Sequence, residues 1–203
     1  MRAYNKGKID KIGSTQNALC EKEGWSKMRK SKTILVLNGP AGSGKSTISH
    51  QLADNGIPKC ITATTRPKRE GEVNGIDYHF LTEEEFAETV FVEQTTYCGY
   101  RYGLPVFELE DKWKESNLIQ VVMDKAGVTA IKEFYPKEAI VLYIPISEEL
   151  MRSRMELRGD SFKSIESRIE HAHENGEFLP PREHHWIIDT TDETTTNSLL
   201  AIF

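Results

Sequence analysis

The stretch Gly39-Pro40-Ala41-Gly42-Ser43-Gly44-Lys45-Ser46 carries glycines, a lysine and a hydroxyl at the spacing G-x-x-x-x-G-K-[ST]. Each residue type has a chemical reason. Glycines let successive backbone N–H groups turn inward around phosphate oxygens, a conformation closed to most side chains. A helix that starts at the lysine presents its positive end to the same anion. In such a loop Lys45 reaches the β- and γ-phosphates, and the Ser46 hydroxyl ligates Mg2+. Residues 39–47, with Thr47 opening the helix, therefore read as a site for a nucleoside triphosphate.

A phosphate loop works only where a buried strand delivers it and a helix receives it. Residues 34–38 are a short apolar run, expected as that strand, and a helix is expected through about Ala53. Residues 59–64 suit a second strand. Beyond Pro105 come a helix to about Ser116, a strand over 118–123, a helix near 128–134 and a buried strand over 139–146. Helices over about 148–157 and 164–174, a strand over 186–189 and a closing helix near 199–203 complete the pattern. Strands alternating with helices imply an α/β fold, a P-loop NTPase-type parallel sheet covered on both faces. Residues 65–105 differ: they are polar, Gly- and Tyr-rich, and read as a small inserted lobe of mixed α/β type with one helix near 83–89.

Two guanidiniums, two phenols and an acid stand in and beside that insertion. Thr62-Ala63-Thr64-Thr65-Arg66-Pro67-Lys68-Arg69-Glu70-Gly71-Glu72-Val73-Asn74-Gly75-Ile76-Asp77-Tyr78 resembles the T-T-R-x-x-R-x-G-E-x-x-G-x-x-Y signature of the guanylate kinase family. The resemblance continues at Glu93, at Gly99-Tyr100-Arg101-Tyr102-Gly103, at Asp124-Lys125-Ala126-Gly127 and at Arg154-Met155-Glu156-Leu157-Arg158-Gly159, and covers about residues 33–190. It implies transfer of the γ-phosphoryl of Mg-ATP to GMP or dGMP, with ATP and Mg2+ required. It also implies a division of the chain into a core of residues 32–64 and 106–203, a GMP-binding lobe over 65–105 and a helical lid over about 154–168. Arg66, Arg69, Tyr78 and Tyr102 would hold the acceptor phosphate, since paired guanidinium donors fit phosphate oxygens. Glu93 would read guanine by accepting its N1–H and amino group, whereas adenine presents an acceptor at N1. Thr62 would add a hydroxyl contact to the base, and Asp124 matches the second acid of an Asp-x-Asp. Arg154, Arg158 and, on the next helix, Arg168 would close over ATP and neutralise the transferring group together with Lys45.

The sequence departs from the family pattern at two places. Val122 stands where the first acid of Asp-x-Asp is expected, and Leu104 replaces a hydroxyl residue of the base site. Two other readings therefore stay open: a related kinase with another acceptor, such as a deoxynucleotide or a ribose bisphosphate, and a non-catalytic binding module.

The charge pattern agrees with small-molecule chemistry. Residues 1–31 carry eight Lys/Arg and three Asp/Glu, while the remaining 172 residues carry 18 against 28. An acidic body argues against a nucleic-acid partner, which calls for a basic face. Its substrates are expected to be small nucleotides held by a local cluster of positive groups. Residues 1–31 read as a flexible basic extension, with Met28 as a natural translation start. No long apolar run suggests a membrane span, and the well-separated Cys20, Cys60 and Cys98 suit free thiols in the cytoplasm. His171, His173, His184 and His185 are expected as ordinary surface residues, and no feature sets an oligomeric state.

Overall fold

A computed structural model of the protein describes residues 32–189. The basic extension, the Ser/Thr-rich turn expected over 190–198 and the closing helix near 199–203 lie outside the described residues. In chain order the elements are β1 (Thr33–Asn38), α1 (Lys45–Asp54), β2 (Ala63–Thr64), β3 (His79–Phe80), α2 (Glu83–Glu88), β4 (Phe91–Tyr97) and β5 (Tyr100–Pro105). They continue with α3 (Val106–Glu115), β6 (Leu118–Val122), α4 (Lys125–Phe134), β7 (Ala139–Tyr143), α5 (Glu148–Leu157), α6 (Phe162–Glu174) and β8 (His184–Ile187).

The first sheet has the order β6-β1-β7-β8, and every pairing in it is parallel. All six residues of β1 are buried. Ile34 and Val36 enter one apolar cluster with Val128 and Ile131 of α4, while Leu35 and Leu37 enter another with Ile48 and Leu52 of α1. That alternation is what a strand covered on both faces must show. Each fully buried aliphatic side chain contributes about 1.5–3 kcal/mol, so β1 fixes the start of the phosphate loop firmly.

The second sheet, ordered β3-β2-β5-β4, belongs to the inserted lobe and is mixed, with β2 parallel to β3 and antiparallel to β5. The strand expected over 59–64 contracts accordingly. Only Ala63 and Thr64 form a strand, and they join the lobe sheet rather than the parallel one. Upstream, Pro58 O and Cys60 N bond the backbone of Gln120, and the Glu108 carboxylate then takes Ile61 N at 3.0 Å. The chain thus brushes the edge of β6 and turns away, because a side chain has replaced the next ladder partner. The helices α4 and α6 start earlier than the periodicity suggested, at their caps Asp124 and Ser161. The strand β7 ends at Tyr143, before the expected Ile146.

The strands β4 and β5 form a hairpin whose turn residues Cys98 and Gly99 both have positive φ. A register shift between Phe91 and Glu93 sets Glu93 opposite Leu104. Such a bulge re-aims the following side chains. Gly103 is needed here: a Cβ would lie 2.6 Å from the Phe91 ring and 2.8 Å from Glu93 O.

Candidate active site

The phosphate loop leaves β1 and meets α1 at Gly44, whose left-handed backbone (φ 98) caps that helix. Gly39 has φ 149, and a Cβ there would lie 2.2 Å from Ile144 O, so the loop closes only on glycine. The Lys45 ammonium donates to Gly39 O at 2.7 Å and Pro40 O at 2.6 Å. Burial, reinforced by Arg168 and Arg158, lowers its pKa to about 8 against the pull of Glu177. Ser46 and Thr47 are exposed on the first turn of α1. From the other side of the loop, Arg154 on α5 donates to Gly42 O at 2.9 Å.

The lobe supplies the other wall of the same cleft, an open space of about 770 Å3 that runs out into solvent. Lys45, Thr62, Arg66, Arg69, Tyr78, Glu93, Tyr102, Asp124 and Arg168 all line it. Arg66 is buried and held in place: it donates to Glu72 at 2.8 Å and to Pro67 O at 2.8 Å, under the rings of Tyr78 and Phe80. Arg69 is half-buried. Burial lowers its pKa, and Arg168, Arg66 and Arg158 lower it further. Arg168 and Arg158 therefore act electrostatically on both Lys45 and Arg69. Arg158 itself stands outside the cleft lining, paired with Asp160 on an exposed corner.

Glu93 is 8% exposed. Its Oε1 accepts Leu104 N at 3.1 Å, while Oε2 is buried without a partner. Burial and the nearby Asp124 raise its pKa to about 7. A Cβ on Gly127 would lie 3.3 Å from Oε2, so any side chain there would crowd that oxygen. Asp124 is more occupied than the sequence suggested. One oxygen caps α4 by accepting Gly127 N at 2.7 Å, and the other accepts Thr95 Oγ1 at 2.8 Å. The departures fall differently too: Val122 lines the cleft, but the Leu104 side chain is fully buried in the core and only its amide serves the site.

Thr95, Tyr97, Gly127 and Glu177 line the cleft without having been singled out as site residues. Strand periodicity could have found two of them, since Glu93, Thr95 and Tyr97 alternate along β4 and share one face. Glu177 carries no local signal, because it follows the end of α6 at Asn175-Gly176. His171 is another correction to the surface reading. It packs edge-on to Tyr97, with ring centroids 4.3 Å apart, whereas His173 and His185 are exposed. Cys60 and Cys98 are free thiols. Among the described residues no helix is long and apolar enough to cross a membrane.

A phosphate loop at the end of a parallel sheet, faced across one cleft by arginines on an inserted lobe, defines a P-loop protein of the nucleotide-kinase class. The guanylate kinase family model matches residues 31–201. Guanylate kinase from Helicobacter pylori is 33% identical over 177 residues, 83% of this chain and 85% of that protein. The enzyme of the same name from Symbiobacterium thermophilum is 34% identical over 148 residues, 70% of each. The crystal structure of guanylate kinase from Anaplasma phagocytophilum superposes with a TM-score of 0.60 at 30% identity, covering 86% of each chain. The chain belongs to the guanylate kinase family.

Proposed function

We propose that the protein transfers the γ-phosphoryl group of ATP to GMP, giving ADP and GDP. The observation that carries this reading is the pairing of two cation-rich anion cradles with one buried, unpartnered carboxylate oxygen, Glu93 Oε2, in a single cleft. Triphosphate oxygens take the loop amides and Lys45. The acceptor phosphate takes Arg66, Arg69, Tyr78 and Tyr102. Guanine offers two adjacent donors to Glu93, with Thr62 beside it. Adenine would oppose the same carboxylate with its N1 lone pair. Binding guanine thus holds Glu93 ionised at a position where the empty protein disfavours charge.

Transfer is in line and direct, and the protein contributes position and charge rather than a covalent intermediate. Arg154 and Arg168 bracket the phosphate loop from the lid side, and Arg158 adds its field. The exposed Ser46 hydroxyl is a hard oxygen donor beside the loop. That donor set fits Mg2+, which takes one or two protein oxygens and draws its other ligands from phosphates and water. When bound, the ion would neutralise charge on the transferring group.

The test is ADP release from Mg-ATP with GMP, dGMP, AMP, UMP, CMP and ribose bisphosphate as acceptors. Turnover with GMP and dGMP and little with the others is expected. Turnover on the ribose compound without turnover on GMP would replace this function with that of a ribose phosphokinase.

A further inference from the structure

The acceptor and donor halves of a two-substrate kinase must meet before transfer, and here Tyr97 makes one of the contacts between them, beside the hydrogen bond from Thr95 to Asp124. Tyr97 ends β4 on the acceptor lobe. Its ring lies edge-on to His171 of α6, 4.3 Å between centroids, and edge-on to Tyr102, 6.2 Å between centroids. His171 Nε2 lies 3.7 Å from Glu177 Oε1. The Tyr97 hydroxyl also sits beside the Glu177 carboxylate and favours its ionised form.

Glu177 is fixed by its backbone on the donor side. Its N–H donates to Ala172 O at 2.7 Å, its carbonyl accepts the Tyr143 hydroxyl at 2.8 Å, and Lys125 holds the preceding Gly176 O at 3.0 Å. The side chain, 8% exposed, lines the cleft opposite Lys45. Among the charges acting on Lys45, Glu177 is the strongest, ahead of Asp124.

We propose that Glu177 is a positioning residue for Lys45, set in place by Tyr97 and His171 when the acceptor lobe is closed, so that filling the acceptor site orders the donor-site lysine. The phosphate-loop lysine otherwise bonds its own loop carbonyls at Gly39 and Pro40. A carboxylate across the cleft draws the ammonium towards the space where the transferring phosphate must lie. Tyr97 links the lobe to that carboxylate. This inference rests on the ATP-to-GMP reading above, and wild-type turnover on GMP checks that reading separately.

The experiment is a double-mutant cycle in the full chain, with Tyr97→Phe and Glu177→Gln, both of which keep volume and ring packing. Steady-state kinetics and hydrogen–deuterium exchange across residues 91–105 are read with and without GMP. Glu177→Gln is expected to lower kcat at least tenfold with KM for ATP changed less than threefold. Tyr97→Phe is expected to lower kcat in the same direction, and the double variant to be no slower than Glu177→Gln alone. GMP should protect the hairpin less in either variant than in wild type, a change that a purely structural role for Glu177 would not produce. A Glu177→Gln enzyme with kcat within twofold of wild type, or single-variant effects that multiply in the double variant, would overturn the latch while leaving the GMP kinase reading intact. If Glu177→Gln does not fold, Tyr97→Phe with unchanged kcat and unchanged protection overturns it alone.

Discussion

Replacing Glu93 with Gln should make the protein more stable and a poorer kinase at the same time, and pH separates the two effects. In the nucleotide-free protein the carboxyl is displaced from 4.5 to about 7, chiefly by burial and then by Asp124. A raised acid stabilises the fold fully below its unfolded value of 4.5, and that contribution is lost as pH rises through about 7. At about 1.36 kcal/mol per unit, the loss between about pH 5 and pH 8 is ~2–3 kcal/mol. Gln cannot ionise, and its amide keeps an acceptor for Leu104 N, so the variant should escape that loss. A domain of this size changes Tm by about 2–4 °C per kcal/mol. The variant's Tm relative to wild type should therefore climb by several degrees from pH 5 to pH 8. With GMP the sign reverses: loss of a charge-assisted acceptor is worth about 1.5–3 kcal/mol, and the new amide N–H faces guanine's donors. The kcat/KM for GMP should fall by about ten- to a hundredfold. Thermal melts across pH 5–8 and ADP-release kinetics measure both. Parallel pH profiles of Tm for the two proteins would refute the buried-charge argument, and an unchanged preference for GMP over AMP would refute the base assignment.

Gly39→Ala should fail at the level of the loop, because its Cβ would lie 2.2 Å from a backbone carbonyl oxygen. A Tm loss of at least about 5 °C, or loss of soluble protein, is expected on the scale of about 2–4 °C per kcal/mol, and an unchanged melt would contradict the geometry. Leu104→Thr restores the hydroxyl that the family pattern places at this position, yet the side chain is fully buried in an apolar cluster. Stability should drop by about 2–4 kcal/mol in denaturant melts, from lost packing and a buried hydroxyl, while the GMP-to-AMP ratio stays the same. A sharpened ratio would mean that residue 104 does reach the base.

What could be read from residues alone follows a physical line. The phosphate loop, its strand and its helix were legible because their chemistry is local: consecutive amides, one lysine and alternating burial on β1. The lobe signature was legible because Arg66, Arg69 and Tyr78 lie within one turn-rich segment. Contacts between distant segments were not. Asp124 looks like a free acid in sequence, but Gly127 N and Thr95 Oγ1 already occupy it. Leu104 looks like a lost hydroxyl, but the bulge between Phe91 and Glu93 leaves only its amide at the site. The fate of residues 59–64 turned on Glu108, nearly fifty residues downstream, whose carboxylate takes the Ile61 amide and ends the pairing with β6. Periodicity carries no record of a partner that far along the chain.

The displaced charges explain why such a cleft favours substrate. Lys45 and Arg69 are pushed towards neutrality by burial and by neighbouring arginines, while Glu93 and Glu177 are pushed towards neutrality by burial. These groups cannot relieve one another completely, because the phosphate loop, the bulge in β4 and the end of α6 fix them on separate elements. Two nucleotides relieve them together. In the proposed complex, phosphate oxygens would stabilise the charge that Lys45 and Arg69 carry, and guanine's donors would favour the ionised form of Glu93. Binding energy is then drawn from electrostatic stress already present in the fold, so the groups that weaken the empty protein are the ones that select the substrate. Val122 fits this balance. An apolar residue on the cleft wall spares the site one more buried carboxylate beside Glu93, Asp124 and Glu177, where a fourth acid would push the others further towards protonation.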